Sequence, residues 1–431
     1  MEMNERMLKQ LGLLGMLLGL VLLGFLLACG SSYDSSTNGL VIVGSQGSAV
    51  LETFSFSLNN GHVSAIANSP ADTSNKTCVL NGLPGAIVVD STGSYAYAII
   101  HENSTCSGSK TGIAAFKINS NGDISQTGGI TAFKGGVVPY AISRDSAGKF
   151  LFVADRANGA PGAISVFSIG ASGTVTEVPG SPFTTPAAAL TPDIVSVAAS
   201  PTTFPSIGIN GTVNAVCSVP GNVAPTAEFL YAVDANNYGV WEFSVDTSTG
   251  VLSNPPGSAQ ALFFATDKVP AGVAVDPCDR FVYVSDSLTN KISGYTICVE
   301  VIANGSCPRA DGSLVEIPGS PFALSGSANG PGPLVVDPYG NNVYIVDTLS
   351  NTVSGFRISP VGGNLVATSP ATFATGTQPT SIAIRGDDNW MFVTNYGAAT
   401  VSQYSITPSS GVLTVESPIA TDNLPWGVAV K

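Results

Sequence analysis

The sequence predicts an all-β fold, a seven-bladed β-propeller of four-stranded antiparallel blades. Three observations lead to this prediction. A short segment recurs seven times along the chain, four predicted strands follow one another in the same order in each repeat, and the chain ends inside a repeat that its beginning completes. Repeats that each contain four short strands in a constant order are typical of propeller blades.

The first strand of the repeat alternates between small and aliphatic residues. Its second position is small or proline and its third is always aliphatic, as in Gly272 and Val273 or Ser381 and Ile382. This two-residue period is typical of a strand whose faces meet different surroundings. The small residues predict a crowded axis where several sheets converge. The seven copies are GAIVVD (85–90), YAISRD (140–145), VSVAAS (195–200), AGVAVD (271–276), GPLVVD (332–337), TSIAIR (380–385) and WGVAVK (426–431).

A turn and three further strands complete the repeat. Asp337, Pro338 and Gly340 stand at the first, second and fourth positions that a type I turn favours. Aromatic-rich second strands follow, then a third strand, a polar hairpin and a fourth strand. The second strands are GLVIVG, YAYAII, FLFVAD, FLYAVD, FVYVSD, NVYIVD and WMFVTN.

The two ends of the chain supply parts of one blade. The first copy begins at its second strand (39–44), and the chain ends on a first strand (426–431) that has no continuation. We therefore predict that the C-terminal strand pairs beside Leu40–Val43 and closes the ring, which removes exposed sheet edges. A twin β-sandwich also offers many short strands, but the constant four-strand order favours the propeller.

The N-terminus predicts export and a lipid anchor. Arg6 and Lys9 precede the apolar run 11–28, which is typical of an export signal. An uncleaved membrane-spanning helix is the alternative, since the run is long enough to cross a bilayer. The run ends in Leu-Leu-Ala-Cys29, which resembles the lipobox of bacterial lipoproteins. That resemblance implies cleavage before Cys29 and lipidation of its thiol.

These observations predict the organisation and location of the chain. Residues 1–28 are expected to be a lipoprotein signal peptide, 29–38 a lipidated tether and 39–431 the propeller. We expect a monomer in the bacterial cell envelope, anchored through Cys29 in the outer membrane and facing the periplasm or the cell surface. Lys and Arg number only 16 against 29 acidic residues and form no cluster, so a nucleic-acid partner is not expected.

Phe392-Val393-Thr394-Asn395 and its variants YVSD, YIVD and FVAD resemble the YVTN repeats of seven-bladed propellers in the lactonase-like family. The resemblance covers residues 39–431 and implies relatives that include phosphogluconolactonases and muconate cycloisomerases. For the enzymes of that family, the resemblance implies functional residues at the channel mouth, in motifs such as Gly-Pro-Arg-His before the innermost strand. The matching segments here, such as LPGA (83–86) and VPYA (138–141), have neither Arg nor His. No catalytic residue is carried over, and no cofactor or metal is expected.

One face of the predicted propeller carries the candidate ligand-binding residues. Tyr140 and Trp426 follow the proline of a first strand, and Tyr238 and Tyr396 lie in neighbouring loops, so that they form a stacking surface for a sugar or peptide or else pack against adjacent blades. His101 either lines this mouth or is a solvated loop residue. The residues that end the second strands either form a polar ring that binds a cation or sugar hydroxyls, or cap their own loops. They are Asp155, Asp234, Asp286, Asp347 and Asn395.

The cysteines after the anchor predict disulfides in an oxidising compartment. Their places in the repeat favour the pairs Cys78–Cys106, Cys298–Cys307 and Cys217–Cys278, because both members of each pair fall on one face of the ring.

Two functions remain open from the sequence. The first is a binding or protein-interaction scaffold with an unknown protein or carbohydrate ligand. The second is a lactonase-like hydrolase, related to phosphogluconolactonases, that acts on an extracytoplasmic lactone or sugar.

Overall fold

The computed structural model describes residues 37–66, 69, 83–102, 110–134, 138–186, 188–202, 227–299, 307 and 311–431. Its strands form seven antiparallel sheets, the seven blades, and all its regular elements are strands within these residues. The predicted all-β seven-bladed propeller is confirmed. In this part of the chain no helix is long and apolar enough to cross a bilayer.

The strands follow the predicted order in every blade. Blade 1 begins with β1 (Asn38–Ser45), β2 (Val50–Ser57) and β3 (Val63–Ala65). Blades 2 and 3 contain β4 (Leu83–Val89), β5 (Tyr95–His101), β6 (Gly112–Ile118), β7 (Ile124–Gln126), β8 (Thr131–Ala132), β9 (Val138–Arg144), β10 (Phe150–Arg156), β11 (Ala163–Ile169), β12 (Val175–Glu177) and β13 (Phe183–Thr184). Blades 4 and 5 contain β14 (Ile194–Ala199), β15 (Glu228–Asp234), β16 (Gly239–Val245), β17 (Leu252–Ser253), β18 (Leu262–Ala265), β19 (Pro270–Val275), β20 (Phe281–Asp286), β21 (Lys291–Ile297), β22 (Leu314–Glu316) and β23 (Phe322–Ala323). Blades 6 and 7 contain β24 (Pro331–Val336), β25 (Asn342–Asp347), β26 (Thr352–Ile358), β27 (Leu365–Ala374), β28 (Pro379–Ile384), β29 (Trp390–Asn395), β30 (Thr400–Thr407), β31 (Val412–Val415) and β32 (Ile419–Ala420).

The last strand, β33 (Pro425–Val430), closes the ring. It pairs antiparallel with β1, with Val430 opposite Val41 and Val428 opposite Val43. Lys431 extends the ladder, because its amide nitrogen lies 2.9 Å from the Leu40 carbonyl oxygen and its own carbonyl accepts from Leu40 at 3.2 Å. The predicted completion of blade 1 by the C-terminus is confirmed.

The innermost strands surround a narrow central channel. Each packs on the innermost strand of the next blade, in the closed order β33, β4, β9, β14, β19, β24 and β28. A Cβ atom on Gly427 would lie 2.3 Å from the carbonyl oxygen of Gly85 in the neighbouring strand, so a side chain does not fit there. The predicted small positions line the channel: Ala86, Ala141, Ser196, Gly272, Pro333, Ser381 and Gly427.

The described residues form seven hydrophobic clusters, one between each pair of adjacent blades. Alternate residues of a strand enter different clusters: Phe281 and Tyr283 of β20 pack against blade 6, and Val282 and Val284 pack against blade 4. Because both faces of each blade are covered, the central residues of the second strands are apolar on both faces.

The predicted fourth strand is the outermost strand of the blade. In five blades it is broken, and a short second segment (β8, β13, β18, β23 or β32) returns to the third strand. Blades 3 and 5 have the sequence GSPF at this break, at 180–183 and 319–322, and there a serine hydroxyl replaces the ladder acceptor. Ser181 Oγ accepts from Val166 N, and Ser320 Oγ accepts from Gly294 N, both at 3.0 Å. The repeated GSP sequence therefore satisfies an amide that the interrupted strand leaves unpaired.

Candidate functional site at the channel mouth

The ends of the second strands and the starts of the first strands meet on one face of the ring. In blade 3 Pro139 pairs with Asp155, and in blade 7 Pro379 pairs with Asn395. A cavity of about 200 Å³ occupies the channel, and Tyr140 and Trp426 are among its lining residues. We call this side the mouth face and the opposite side, which carries the first turns, the turn face.

Three aromatic rings form a continuous cluster on the mouth face. The Trp426 ring centroid lies 6.5 Å from that of Tyr140 and 5.7 Å from that of Tyr396, with interplanar angles of 78° and 87°. Such edge-to-face contacts are the favoured geometry of aromatic pairs. Tyr140 is 37 % exposed, and the other two rings are half-buried. We call Tyr140, Tyr396 and Trp426 the aromatic mouth.

The fourth predicted aromatic residue lies apart. Tyr238 is 40 % exposed on the loop after β15 in blade 4. Among the described residues it makes no ring contact with the aromatic mouth. The structure therefore brings together three of the four predicted aromatic side chains.

Hydrogen bonds from two threonine hydroxyls to its carbonyl oxygen hold Trp426 in place. Its carbonyl oxygen accepts hydrogen bonds from Thr380 Oγ1 and Thr394 Oγ1 of blade 7, both at 3.0 Å. In blade 2, between the blades of Trp426 and Tyr140, the equivalent position is Gly85, which puts no side chain between the two rings. Blade 7 and the glycine of blade 2 thus both contribute to the position of the aromatic mouth.

An ion pair beside the aromatic mouth was not predicted. Arg156 Nη2 lies 2.7 Å from Asp193 Oδ2, and its Nε lies 3.2 Å from Asp193 Oδ1. The guanidinium carbon is 5.0 Å from the centroid of the Tyr140 ring, a cation–π distance. Hydrogen bonding by Asp193 raises the pKa of Arg156 further. The only signal in the sequence is that Arg156 directly follows Asp155 at the end of a second strand.

His101 lies at the end of β5 and is half-buried. A Cβ atom on Gly85 would lie 2.8 Å from its Nε2, so the absence of a side chain at Gly85 leaves room for the imidazole. Burial lowers the pKa of His101, which keeps the ring neutral near pH 7. A neutral imidazole is able to accept a proton.

The polar residues that end the second strands do not lie on the mouth face surface. All five predicted members of the ring are fully buried: Asp155, Asp234, Asp286, Asp347 and Asn395. Ser165, Ser293 and Ser354 of the third strands donate hydroxyl hydrogen bonds to Asp155, Asp286 and Asp347 at 2.6, 2.7 and 2.7 Å, and Asn395 Nδ2 donates to Ser402 at 2.9 Å. The expectation of an accessible ring is therefore wrong, because the adjacent strand engages these groups inside the blade.

The loop-cap alternative describes Asp234 alone among the five. Its Oδ1 accepts from the amides of Asn236 and Asn237, each at 3.2 Å. The other four form a hydrogen bond between the second and third strands of their blade. The residues at these two places vary between blades. Blade 1 reverses it, since Ser45 on the second strand donates to Glu52 on the third at 2.5 Å, and blade 2 replaces it with Ile100 and Ala114.

Burial changes the acidity of this buried set. It raises the pKa of Asp155 and Asp286 to about 7 and that of Asp347 to about 6, and the serine donors oppose the shift. The contact also reaches the mouth loops, because Ser293 Oγ accepts from Asp267 N at 3.2 Å. We conclude that the pair of Asp286 and Ser293 anchors the loop at Asp267 beside the mouth.

Among the predicted disulfides, Cys298–Cys307 is present, with a Cα–Cα distance of 5.3 Å. Cys278 is also disulfide-bonded, and its predicted partner Cys217 lies outside the described residues. Cys29, Cys78 and Cys106 lie outside them as well. No group of three or more His, Cys, Asp or Glu side chains in the described ranges is arranged to hold a metal ion.

Comparison with known proteins extends the sequence resemblance. A family model described as "Lactonase, 7-bladed beta-propeller" matches residues 43–181 and 310–426, more than half of the chain. The search of curated proteins gives no match.

Solved structures share the fold at low identity. A Bacteroides fragilis protein provisionally assigned as a 6-phosphogluconolactonase has a TM-score of 0.65 at 16 % identity, covering 93 % of this chain and 99 % of its own. The periplasmic gluconolactonase of Pseudomonas aeruginosa has a TM-score of 0.65 at 15 % identity, covering 91 % and 99 %. A Bacteroides uniformis protein with the same provisional assignment has a TM-score of 0.64 at 17 % identity, covering 92 % and 100 %.

Proposed function

Because the chain belongs to the lactonase family of seven-bladed β-propellers, we propose that it binds an uncharged ring compound, a sugar or a sugar lactone, on the aromatic mouth. The cluster of Tyr140, Tyr396 and Trp426 over the channel carries this proposal. Aromatic faces that are partly exposed beside a few polar groups are typical of sites for sugar rings.

The charge of the site favours a neutral ligand. Arg156 is the cation in contact with the aromatic mouth, and Asp193 already engages it through two hydrogen bonds. A phosphate or carboxylate group would have to compete with a buried carboxylate for this guanidinium. The cavity of about 200 Å³ is also smaller than a typical ligand pocket, so the ligand is expected to lie across the mouth and not inside the channel.

Tryptophan fluorescence tests this proposal directly. The chain has three tryptophans, of which Trp241 and Trp390 are 5 % and 6 % exposed, whereas Trp426 is half-buried at the mouth. Titration with neutral sugars and sugar lactones is expected to change the emission of Trp426, and Trp426→Phe is expected to abolish most of the change. Tyr140→Ala is expected to weaken binding about tenfold, equivalent to ~1.4 kcal/mol.

Tyr238→Ala supplies a matched control, because Tyr238 is an exposed tyrosine of the same face outside the aromatic mouth. Its affinity is expected to equal that of the parent protein. Equal losses of affinity in Tyr140→Ala and Tyr238→Ala would contradict the proposed site. So would saturable binding in a triple variant that combines these two changes with Trp426→Ala.

A second candidate function is hydrolysis of a sugar lactone. The family match favours it, as does His101, whose burial lowers its pKa and leaves a neutral proton acceptor near the mouth. Purified protein would be assayed for ring opening of gluconolactone and related lactones. Turnover that falls at least tenfold in His101→Gln while ligand binding persists supports hydrolysis. A rate equal to that of buffer leaves binding as the function.

The predicted lipid anchor would place the mouth away from the membrane. Thr37 lies on the turn face, where its carbonyl accepts from Leu58 N at 3.0 Å. Seven residues lie between Cys29 and Thr37, and an extended chain over these eight residue-to-residue steps spans at most about 30 Å. We therefore propose a propeller tethered by its turn face in the bacterial envelope. Labelling with a fatty-acid analogue in the full chain is expected, and Cys29→Ser is expected to remove it.

A further inference from the structure

The turns that join the first and second strands share a left-handed fourth residue. It is Gly93, Gly148 or Gly340 in blades 2, 3 and 6, with φ values of 67°, 71° and 69°. In blades 5 and 7 the same position holds Asp279 and Asp388, with φ values of 55° and 57°. Glycine adopts this conformation without strain, whereas aspartate adopts it at a cost. The substitution thus breaks a local rule at equivalent places in two blades, which is typical of functional positions.

The side chain at this position points toward the turn of the preceding blade. A Cβ atom on Gly340 of blade 6 would lie 2.5 Å from Asp276 Oδ1 of blade 5, and one on Gly148 would lie 2.3 Å from Ser91 Oγ. Asp388 of blade 7 therefore faces the turn of blade 6, which contains Asp337. Asp388 is fully buried, and neither of its carboxyl oxygens has a hydrogen-bond partner.

At the equivalent place between blades 5 and 6, an arginine balances the charge of the buried acid. Arg280 Nε lies 2.6 Å from Asp276 Oδ2 and its Nη2 lies 3.0 Å from Oδ1, while Nη2 also donates to the Gly340 carbonyl at 2.9 Å. Arg280 stands four residues after Asp276, and the residue four after Asp337 is the uncharged Asn341. A guanidinium thus balances the buried acid in one interface and is missing from the equivalent place in the next.

Among the described residues, the groups around Asp388 offer no compensating charge. From blade 6 it faces Asp337, Tyr339 and Tyr344, and in its own turn it adjoins Asp387. Asp387 is engaged by Arg385, whose Nε donates to the Lys431 carbonyl. Two buried carboxyl groups without a cation do not both ionise, because the interior favours the neutral form of one.

We propose that Asp388 is a proton-binding site of the folded ring, held as the neutral acid between blades 6 and 7, and that loss of this proton loosens the contact between them. Asp337 is the member that stays ionised, since it accepts hydrogen bonds from the amides of Tyr339 and Asn341 and from Asn342 Nδ2 at 3.0, 2.9 and 2.6 Å. Burial, then Asp337, then Asp387 raise the pKa of Asp388 to about 8, and that of Asp337 is raised by burial to about 6.

The interface between blades 4 and 5 also holds a buried acid at this turn position, although Ser200 stands there where blade 6 has Asp337. Asp279 is fully buried and faces Ser200 and Glu228 of blade 4. Burial raises the pKa of Glu228 to about 8. Two interfaces of one ring therefore hold a carboxyl group against another acid.

The proton linkage fixes the sign of the effect. An aspartic acid ionises near pH 4 in the unfolded chain, so unfolding at about pH 6 releases the proton of Asp388. The stabilisation is complete below about pH 4 and is lost as the pH rises to about 8. Over this range the site makes the unfolding constant rise tenfold for each pH unit.

The test uses Asp388→Asn, which imitates the neutral acid. Between about pH 5 and pH 7 the plot of log unfolding constant against pH is expected to be shallower by one proton than in the parent protein. Difference infrared spectra at about pH 6 are expected to lose one protonated-carboxyl band. Asp246→Asn is the matched control, because Asp246 is exposed and hydrogen bonding by Ser248 lowers its pKa below this range.

Two further variants keep the test decisive. Asp388→Gly introduces the glycine that blades 2, 3 and 6 have at this turn position. It replaces Asp388→Asn in the test if that variant does not fold. Asp337→Asn removes the neighbouring charge and is expected to move the upper end of the pH window downward. An unchanged slope in both Asp388 variants would overturn the proposal. So would stabilisation of the parent protein, and not of Asp388→Asn, by a divalent cation at about pH 8, which would identify a metal site instead.

Discussion

Individual serine hydroxyls supply the hydrogen bonds that satisfy the buried acids. Ser293 Oγ donates to Asp286 at 2.7 Å and accepts from Asp267 N at 3.2 Å, so one hydroxyl joins a buried carboxyl group to a mouth loop. Blade 2 uses Ile100 and Ala114 at the corresponding places, which shows that the blade tolerates either a complete polar pair or none. A buried polar group without its partner is the costly state.

We predict that Ser293→Ala lowers the free energy of unfolding by about 1–3 kcal/mol, because Asp286 keeps the hydrogen bond from the residue 293 amide but loses the hydroxyl donor, and the Asp267 amide loses its acceptor. Burial raises the pKa of Asp286 to about 7, and the hydroxyl opposes this by stabilising the ionised form. The loss is therefore expected to be larger at about pH 8 than at about pH 5. Denaturant unfolding at the two pH values measures it. In an Asp286→Asn background the pH dependence of the Ser293 effect is expected to vanish, and an equal loss at both pH values in the parent would contradict this account.

At the scale of the element, the tyrosines of the second strands connect neighbouring blades. The hydroxyl groups of Tyr231, Tyr283 and Tyr344 donate to the carbonyls of Gly312, Gly363 and Gly411, at 2.8, 2.7 and 3.0 Å. Each glycine belongs to the hairpin between the third and fourth strands of the following blade. The aromatic third position of the second strand therefore serves both the core and the alignment of adjacent sheets.

Tyr283→Phe is predicted to cost about 1 kcal/mol of unfolding free energy, since it removes one hydrogen bond between blades and little volume. Tyr97→Phe is the matched control, because the hydroxyl of Tyr97 is buried and has no hydrogen-bond partner. Its removal is expected to be neutral or stabilising. Chemical denaturation of both variants measures the difference. Identical effects of the two substitutions would show that the hydroxyl contact of Tyr283 contributes nothing.

For the whole molecule, stability depends on closing the ring between its first and last strands. The contacts of Lys431 with Leu40 place the end of β33 where a first turn would otherwise begin β1. In blade 2 the equivalent residues Asp90 and Tyr95 are joined by four residues, Ser91 to Ser94. The propeller is therefore one turn short of a continuous circle.

A circular permutant should consequently fold. Lys431 would be joined to Leu40 through Ser-Thr-Gly-Ser, with new ends at the exposed hairpin between Ala171 and Ser172. The permutant is expected to unfold cooperatively on heating and to be at least as stable as residues 37–431 alone, because the closing strand becomes covalently linked. Deletion of residues 425–431 is expected to abolish cooperative unfolding. A permutant less stable than residues 37–431, or a deletion variant that still unfolds cooperatively at the same temperature, would contradict the importance of closure.

Much of the fold is legible in the sequence because each blade is assembled from neighbouring segments. The two-residue period, the turn at Asp337 and the repeated order of four strands report interactions within a blade, and repetition makes them visible seven times. The places of Tyr140 and Trp426 follow from the same order, since a position in the repeat corresponds to a position on the ring. The unpaired first strand at the C-terminus likewise predicts closure.

The number of blades, the closure and the placement of two aromatic side chains at the mouth are therefore readable from the residue order alone. The pairing of Arg156 with Asp193, the inward direction of the acids that end the second strands and the approach of Asp388 to Asp337 emerge from the folded ring. Strand order depends on local periodicity and is repeated along the chain. The other contacts join different strands or blades, and they depend on how two adjacent sheets pack, which no single repeat records.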